Sequence, residues 1–181
     1  MLRTQHLLLR SFQPEDTSEL FGFMSDPVAM QFTYIAQSFA ECEARLTSYE
    51  AMRATLGFAP WVVLWPESGN VVGWGGLSVD PAEPEWGLEL SYAFSAQHWG
   101  KGFATELVQY SLAHAFAVLS AKEVNSFAKP ANTGSIRVLE KCGFQFLGYA
   151  SSLERNHYCV HAPGAASQET EPIERRSCGG D

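Results

Sequence analysis

The stretch Gln97-His98-Trp99-Gly100-Lys101-Gly102-Phe103-Ala104-Thr105-Glu106 is a glycine-spaced loop. It follows the strand-like run 86–94 and opens directly into a run from Phe103 to about Leu119 that repeats apolar residues at helical spacing. Backbone N–H groups at a helix N-terminus carry partial positive charge, and glycine lets phosphate oxygens approach them closely. This stretch therefore predicts an anion cradle at a strand–loop–helix junction, and the rest of the fold is arranged around it.

The composition favours one compact domain that does not bind nucleic acid. The chain has 181 residues, 46% of them hydrophobic, and a formal net charge of −8, whereas a general nucleic-acid binder needs a basic face. The negative charge suits a cationic second substrate. The cysteines show neither C-x-x-C spacing nor a tight cluster with histidines, so no metal site is predicted. Scattered thiols, a short N-terminal apolar run and no stretch that would span a bilayer predict a cytoplasmic protein without a membrane partner.

Hydrophobic periodicity and turn residues predict a mixed order of strands and helices. Ser38 and Asn132 are predicted helix N-caps, with Glu41 as the reciprocal acceptor for Ser38, while Gly57 and Gly143 end the same two helices. From about residue 162 the chain becomes polar and is predicted to be disordered. The predicted elements are strands over 5–12, 60–64, 71–79, 86–94, 123–128, 144–148 and 157–161, with 60–64 and 71–79 antiparallel neighbours, and helices from 14 to 25, 38 to 57, 103 to 119 and 133 to 142.

Two familiar phosphate loops do not fit the glycine spacing. A P-loop needs lysine after its last glycine, but Lys101 lies between the two glycines. A Rossmann loop would place its third glycine at Thr105, and its ribose-binding acid should end the next strand, whereas Glu123 precedes one. The sequence disfavours ATP and NAD as the ligand of this loop.

Gln97, Gly100 and Gly102 match the Q/R-x-x-G-x-G/A signature of the GNAT acetyltransferases, and the resemblance extends over residues 5–161. Residues 7–16 look like that family's opening strand and turn. The segment Val71-Val72-Gly73-Trp74-Gly75-Gly76-Leu77 looks like its third strand, and residues 132–144 resemble its N-x-x-S…E-K-x-G-F block. All blocks stand in the family's order, and they are most similar to the branch of ribosomal-protein N-terminal (alanine/serine) acetyltransferases.

The resemblance implies an α/β (α+β) GNAT fold for residues 1–161, with a splayed, mostly antiparallel sheet flanked by helices on both faces. Acetyl-CoA would lie between the strands 86–94 and 123–128, as cosubstrate and without a metal. The main chain of Ala93 and Phe94 would bind the pantetheine arm, and Asn132 and Ser135 would contact the cofactor. The pyrophosphate would lie on the loop residues Gln97, His98, Trp99, Gly100, Lys101, Gly102, Phe103, Ala104 and Thr105.

Direct acetyl transfer needs a neutral amine and a proton for the departing thiolate. By resemblance, Ser135 would donate to the leaving sulfur and Glu154 would be the general base, while Glu89, on the strand beside the acetyl group, is a rival base. Each also has a structural interpretation: a helix-start serine, a loop carboxylate beside Arg155 and a half-buried strand carboxylate. Leu139 stands where some members carry a tyrosine acid, which shifts weight to Ser135.

The sequence thus predicts an N-acetyltransferase that acts on a protein α-amine or a small-molecule amine. The alternative is a catalytically silent acetyl-CoA-binding module that acts as a sensor or partner subunit. Phe32 and Tyr34, between the first two predicted helices, are the candidate acceptor contacts. The resemblance also allows a homodimer.

Overall fold

Eight strands and four α-helices make up the regular structure of residues 1–164, the part of the chain that this computed structural model describes. The sheet order is β1-β2-β3-β4-β5-β6-β8-β7, and every neighbouring pair is antiparallel except β5–β6. This confirms the predicted fold class. The elements are β1 (Leu2–Arg3), β2 (Leu8–Arg10), α1 (Thr17–Met24), α2 (Phe39–Leu56), β3 (Trp61–Leu64), β4 (Val71–Ser78), β5 (Glu89–Phe94), α3 (Phe103–Ala117), β6 (Glu123–Ala128), α4 (Thr133–Lys141), β7 (Gln145–Ala150) and β8 (Arg155–His161).

The sheet opens between β5 and β6. β4 pairs with β5 along all six residues of β5, whereas β5 and β6 meet in the single parallel pair Glu89–Asn125. Two further bonds close this end: the Asn125 N–H donates to the Leu88 carbonyl (2.8 Å) and the Ser126 hydroxyl donates to the Leu90 carbonyl (2.9 Å). Beyond them the strands no longer pair, and we call the resulting opening the β5–β6 gap.

Glycines in β4 hold β5 close on its other side. A Cβ on Gly73 would lie 2.5 Å from the Ala93 carbonyl oxygen, and one on Gly75 would lie 2.5 Å from the Tyr92 Cβ. Real Cβ atoms do not approach so closely, so this register requires glycine at both positions. β5 is therefore fixed to β4 while its opposite edge stays open.

The helices cover the two faces of the sheet. α1 and α2 pack on one face over a core that includes Leu20, Met24, Leu46 and Ala93. α3 and α4 pack on the other over Leu77, Leu90, Val108, Leu139 and Tyr158. Because side chains alternate along a strand, odd-numbered residues of β5 face α1 and α2 and even-numbered ones face α3 and α4. This arrangement gives the β5–β6 gap two different sides.

The cap residues predicted for α2 and α4 agree with the structure in all but one hydrogen bond. The Ser38 Oγ accepts from the Glu41 N–H (3.2 Å), and Gly57 and Gly143 have φ of +83° and +89°. The predicted reciprocal bond from Glu41 to Ser38 is wrong: the Glu41 carboxylate accepts from the Gln37 N–H instead (2.8 Å). The carboxylate reaches one residue further back than a capping box requires.

Two predicted strands are shorter than the sequence suggested. Residues 4–7 form a turn, with the Thr4 N–H donating to the Leu7 carbonyl (3.0 Å), so β2 begins only at Leu8. It ends where Arg10 forms a bidentate ion pair with Asp16 (2.5 and 2.6 Å). The predicted strand 86–94 begins at Glu89 because Gly87, at a φ of +67°, reverses the chain after a 3-10 turn.

The remaining predictions for the chain ends and partners are only partly tested. In residues 1–164 no helix is both long and apolar enough to cross a bilayer. The cysteines of this range, Cys42, Cys142 and Cys159, are free thiols. The predicted disordered tail, apart from residues 162–164, lies outside the described residues.

Candidate functional site

The N-terminus of α3 presents unpaired backbone donors. Gly100 and Gly102 have φ of +75° and +82°, and Gly102 is the N-cap but supplies no side chain to cap the helix. The first helical bond runs from the Glu106 N–H to the Gly102 carbonyl (3.0 Å). Within residues 1–164, the N–H groups of residues 103–105 therefore have no acceptor. This is the geometry of an anion site at a helix N-terminus.

Side chains fasten the loop from beneath. His98 is buried and its Nδ1 lies 2.6 Å from the Ser95 Oγ, and burial together with nearby Lys101 lowers the pKa of the His98 imidazole. The Trp99 indole N–H donates to the Phe94 carbonyl (2.9 Å). The Lys101 ammonium lies 4.7 Å from the centroid of the Trp65 ring. Of these three residues only His98 is buried, whereas Trp99 and Lys101 remain exposed.

The backbone donors at the start of the loop are already used. The His98 N–H donates to the Ser95 carbonyl (2.9 Å) and the Trp99 N–H to the Ala96 carbonyl (3.2 Å). The predicted cradle of residues 97–105 thus narrows to residues 100–105.

Along the part of β5 that borders the gap, the main-chain N–H and C=O groups that face it are those of Tyr92 and Phe94. The Ser95 N–H donates to the Val72 carbonyl (3.0 Å) and Ala93 pairs with Trp74, so Ala93 directs its main-chain groups toward β4. Alternation turns the main-chain groups of Tyr92 and Phe94 toward the gap. Of the two residues predicted to bind a pantetheine arm, only Phe94 has its main chain on the gap side, and its carbonyl already accepts from the Trp99 indole N–H.

A hydroxyl pair bridges β5 and α4 across the gap. The Tyr92 hydroxyl lies 2.9 Å from the Ser135 Oγ, and the Ser135 N–H donates to the Asn132 side-chain oxygen (3.1 Å). Burial raises the pKa of the Tyr92 phenol to about 12, so this group stays protonated at neutral pH. Tyr92 was missed by the sequence analysis, although strand alternation would have placed it on the α4 side of β5.

A pocket of about 880 Å³ lies on the α1 and α2 face of the sheet and reaches the gap. Its walls come from the α1–α2 connection, α2, the ends of β4 and β5, β6 and the start of β8. Of the two residues predicted as acceptor contacts, Tyr34 lines this pocket and Phe32 does not. The charged side chains of the pocket are Arg45, Asp80, Glu89 and Arg155, and Tyr92 also lines it.

The structure separates the two candidate bases. Glu89 lines the pocket at the closed end of the gap, and burial raises the pKa of its carboxyl to about 7, with Asp80 adding to the effect and Arg155 opposing it. Glu154 is exposed in the turn before β8, at a φ of +52°, and does not line the pocket. A carboxyl with a pKa near 7 is suited to accept a proton at neutral pH.

One cluster of metal-ligand type lies elsewhere on the sheet. Ligand atoms of Glu123, Cys159 and His161 lie within 4.8 Å of one another on β6 and β8. Cys159 and His161 lie two residues apart on β8, and the pairing of β6 with β8 brings Glu123 beside them. The cluster stands beyond the closed end of the gap, and we assign it no part in the chemistry of the pocket.

Comparison with known proteins identifies the family. The model of the acetyltransferase (GNAT) domain matches residues 6–145. An uncharacterized N-acetyltransferase, p20, from Bacillus licheniformis is 28% identical over 156 residues, which covers 85% of this chain and 87% of the relative. The predicted branch has a structural neighbour, the ribosomal-protein-S5-alanine acetyltransferase from Vibrio fischeri, with a TM-score of 0.75 over 91% of this chain and 97% of that one, but only 15% identity.

A second structural neighbour is named for a small-molecule amine. The spermidine N-acetyltransferase from Vibrio cholerae, solved with CoA and spermine, has a TM-score of 0.67 and 19% identity, over 86% of this chain and 95% of that one. At such identities the two structures speak for the fold alone, and neither branch is singled out. The family match over residues 6–145 shows that the chain belongs to the GNAT acetyltransferase family.

Proposed function

We propose that the protein transfers the acetyl group of acetyl-CoA directly to a primary amine at the β5–β6 gap. One observation carries the proposal: an uncapped helix N-terminus on one side of the sheet and a pocket with a poised carboxyl on the other open onto the same gap. A donor bound along the gap and an acceptor in the pocket would meet there without a covalent enzyme intermediate.

The donor side accounts for the predicted cofactor contacts. The amides of residues 100–105 would hold the pyrophosphate, and Gln97 and Lys101 lie beside them on the exposed side of the loop. The open main-chain edge of Tyr92 and Phe94 would bind the pantetheine arm as an added strand, which replaces Ala93 by Tyr92 in our assignment. The structural neighbour from Vibrio cholerae was solved with CoA, which supports this choice of cofactor.

The proton path starts at Glu89. Its carboxylate takes one proton from the bound ammonium, and the neutral nitrogen attacks the thioester carbonyl. When the tetrahedral intermediate collapses, the C–S bond breaks, sulfur keeps the electron pair, and the second amine proton ends on the thiolate. The Tyr92–Ser135 pair would donate a hydrogen bond to the developing thiolate. With its pKa at about 12, Tyr92 serves as a hydrogen-bond donor rather than as the source of the proton.

This assignment prefers Glu89 to Glu154 because only Glu89 lines the pocket. It also weighs against a silent cofactor-binding module, which would need the cradle but no poised carboxyl. The names of the structural neighbours include both kinds of acceptor, a protein α-amine and a small-molecule amine.

The test measures CoA release with amine acceptors over a range of pH, for wild type, Glu89→Gln and Glu154→Gln. We expect kcat to rise with pH through about 7 and then level, as Glu89 loses its proton. Glu89→Gln should lower kcat by roughly 10²- to 10⁴-fold and remove this step, while Glu154→Gln stays within about twofold of wild type. The reverse pattern would transfer the role to Glu154. Acetyl-CoA binding without CoA release for any peptide or amine would favour the silent module.

A further inference from the structure

Two arginines of the pocket have no acidic partner. Arg45 comes from α2 and Arg155 is the first residue of β8, and both are half-buried in the pocket wall. Among residues 1–164, neither has a carboxylate within 4.0 Å of its guanidinium. Arg10 and Arg53 differ, since they pair with Asp16 and Glu50. The pocket therefore holds two positive charges that the protein itself does not neutralise by contact.

Arg45 is oriented by two aromatic side chains, Tyr34 and Tyr49. Its guanidinium carbon lies 4.5 Å from the centroid of the Tyr34 ring, a cation–π contact. The side chain also hydrogen-bonds to Tyr49 but, within residues 1–164, donates to no carboxylate, so the guanidinium, with five N–H groups, keeps donors for a ligand. Arg53, eight residues further along α2, contrasts with it, because its guanidinium donates to Glu50 and to the Pro60 carbonyl (2.6 Å).

The pocket thus carries both signs of charge. Glu89 and Asp80 lie at the ends of β5 and β4, and the two arginines come from other elements of the wall. A half-buried guanidinium without a partner is costly, and a ligand oxyanion would offset that cost by bidentate hydrogen bonds. An acceptor with several cations would instead meet like charge at Arg45 and Arg155.

We propose that the acceptor is a small primary amine that also bears a carboxylate, bound with its ammonium at Glu89 and its carboxylate at Arg45 and Arg155. This inference rests on the proposed acetyl transfer and specifies its second substrate. A volume of about 880 Å³ is that of a small-molecule pocket. The presence of both signs of charge disfavours polyamines and aminoglycosides, whose charged groups are all cationic.

The test uses amines that share one chain and differ at the far end: γ-aminobutyrate, its neutral amide, putrescine and aminopropylphosphonate. Glycine, β-alanine and ε-aminohexanoate vary the length, so that an unsuitable spacing is not mistaken for absence of recognition. For the best carboxylate length, we expect kcat/KM to exceed that of the matched amide at least about tenfold, the usual range for a charged hydrogen bond. The matched diamine should be poorer than the amide.

Arginine variants link the preference to these side chains. Arg45→Gln and Arg155→Gln should each lower the carboxylate-to-amide ratio of kcat/KM at least about fivefold, mainly through KM of the acceptor. Arg45→Glu should move the preference toward putrescine. Arg3→Gln is the control, because Arg3 is exposed in β1, also without a carboxylate partner, and does not line the pocket. Unchanged acetyl-CoA binding shows that each variant is folded.

Several outcomes overturn the inference. Equal or better turnover of the amide or the diamine would refute anion recognition, and a preference for the phosphonate would refute the carboxylate. Acetylation of N-terminal peptides but of no small amine would refute the small-molecule assignment and leave acetyl transfer intact. Absence of CoA release with every small amine and peptide would instead refute the proposed function itself.

Discussion

The two sides of the β5–β6 gap differ in the groups that line them: backbone groups on one side and side chains on the other. The proposed donor side rests on backbone groups, namely the amides of residues 100–105 at the start of α3 and the main-chain edge of β5. The acceptor side is a set of side chains brought together from segments between Tyr34 and Arg155. A backbone site depends on glycine conformation and tolerates varied side chains, whereas a side-chain site changes its ligand with each substitution. A local sequence pattern can therefore predict the backbone site of the loop but not the side-chain site of the pocket.

The largest expected effect breaks the donor side alone. Gly102 has a φ of +82° and its missing Cβ would enter open space at the helix N-terminus, where the anion would lie. Gly102→Ala should raise KM for acetyl-CoA roughly 10- to 100-fold, because hydrogen bonds to a charged ligand are lost, and leave KM of the acceptor almost unchanged. Steady-state kinetics with each substrate varied separately measures the difference.

Gly57→Ala is the matched control for backbone strain. Gly57 has a φ of +83° and equally open space around its missing Cβ, but it ends α2. Both variants should lose about 1 kcal/mol of unfolding free energy from the left-handed conformation. A similar rise in KM for acetyl-CoA in both would show that strain, not the cradle, is responsible.

The next effect concerns the stability cost of the acceptor side. Burial raises the pKa of Glu89 from 4.5 to about 7, so the folded state binds this proton more tightly than the unfolded state. The contribution of Glu89 to stability is complete below pH 4.5 and is lost as the pH rises through about 7. Glu89→Gln should therefore raise the unfolding free energy by roughly 1–3 kcal/mol near pH 8 and by much less near pH 4.

Urea unfolding at the two pH values measures this difference. Exposed Glu154 provides the control, and Glu154→Gln should shift stability by less than about 0.5 kcal/mol at either pH. If Glu89→Gln destabilises the protein equally at both, the carboxyl is a structural partner and not a buried base held at a cost to stability.

A smaller effect tests the hydroxyl pair at which the two sides meet. Tyr92→Phe and Ser135→Ala should each lower kcat about tenfold, because each removes a hydroxyl from the pair 2.9 Å apart that would stabilise the thiolate. KM for acetyl-CoA should change by less than about twofold. The double variant should lose little more than either single variant, since the two groups act as one unit. Additive losses would mean independent roles.

The accuracy of the sequence analysis follows the same division. Periodicity and glycine spacing predicted α3 and the loop, because these features are encoded by neighbours in sequence. The opening between β5 and β6 was implied only by the resemblance to the family. The assignment of Ala93 depends on strand register: main-chain direction alternates, and the pairing of β4 with β5, with the Ser95–Val72 bond, turns the main-chain groups of Ala93 toward β4. Register depends on long-range pairing, which a local pattern does not determine.

The acceptor side was harder to predict for a related reason. Glu154 and Glu89 are equivalent as letters, and only the folded chain shows that one is exposed in a turn and the other lies in a pocket. The unpaired state of Arg45 and Arg155 is likewise a property of distances between elements. Tyr34 was found because it lies in a connection between helices, but the same reasoning also selected Phe32, which does not line the pocket.

The smallest effect compares two helix N-caps that make the same type of bond to the backbone. Asn132 accepts from the Ser135 N–H at 3.1 Å beside the gap, and Ser38 accepts from the Glu41 N–H at 3.2 Å at the start of α2. Loss of either cap, in Asn132→Ala or Ser38→Ala, should cost about 1 kcal/mol of unfolding free energy. Only Asn132→Ala should also weaken acetyl-CoA binding, by about threefold, because only its cap positions a residue that faces the donor. Equal stability loss with equal binding would reduce Asn132 to a helix cap and confine the donor site to the backbone of residues 100–105 and the edge of β5.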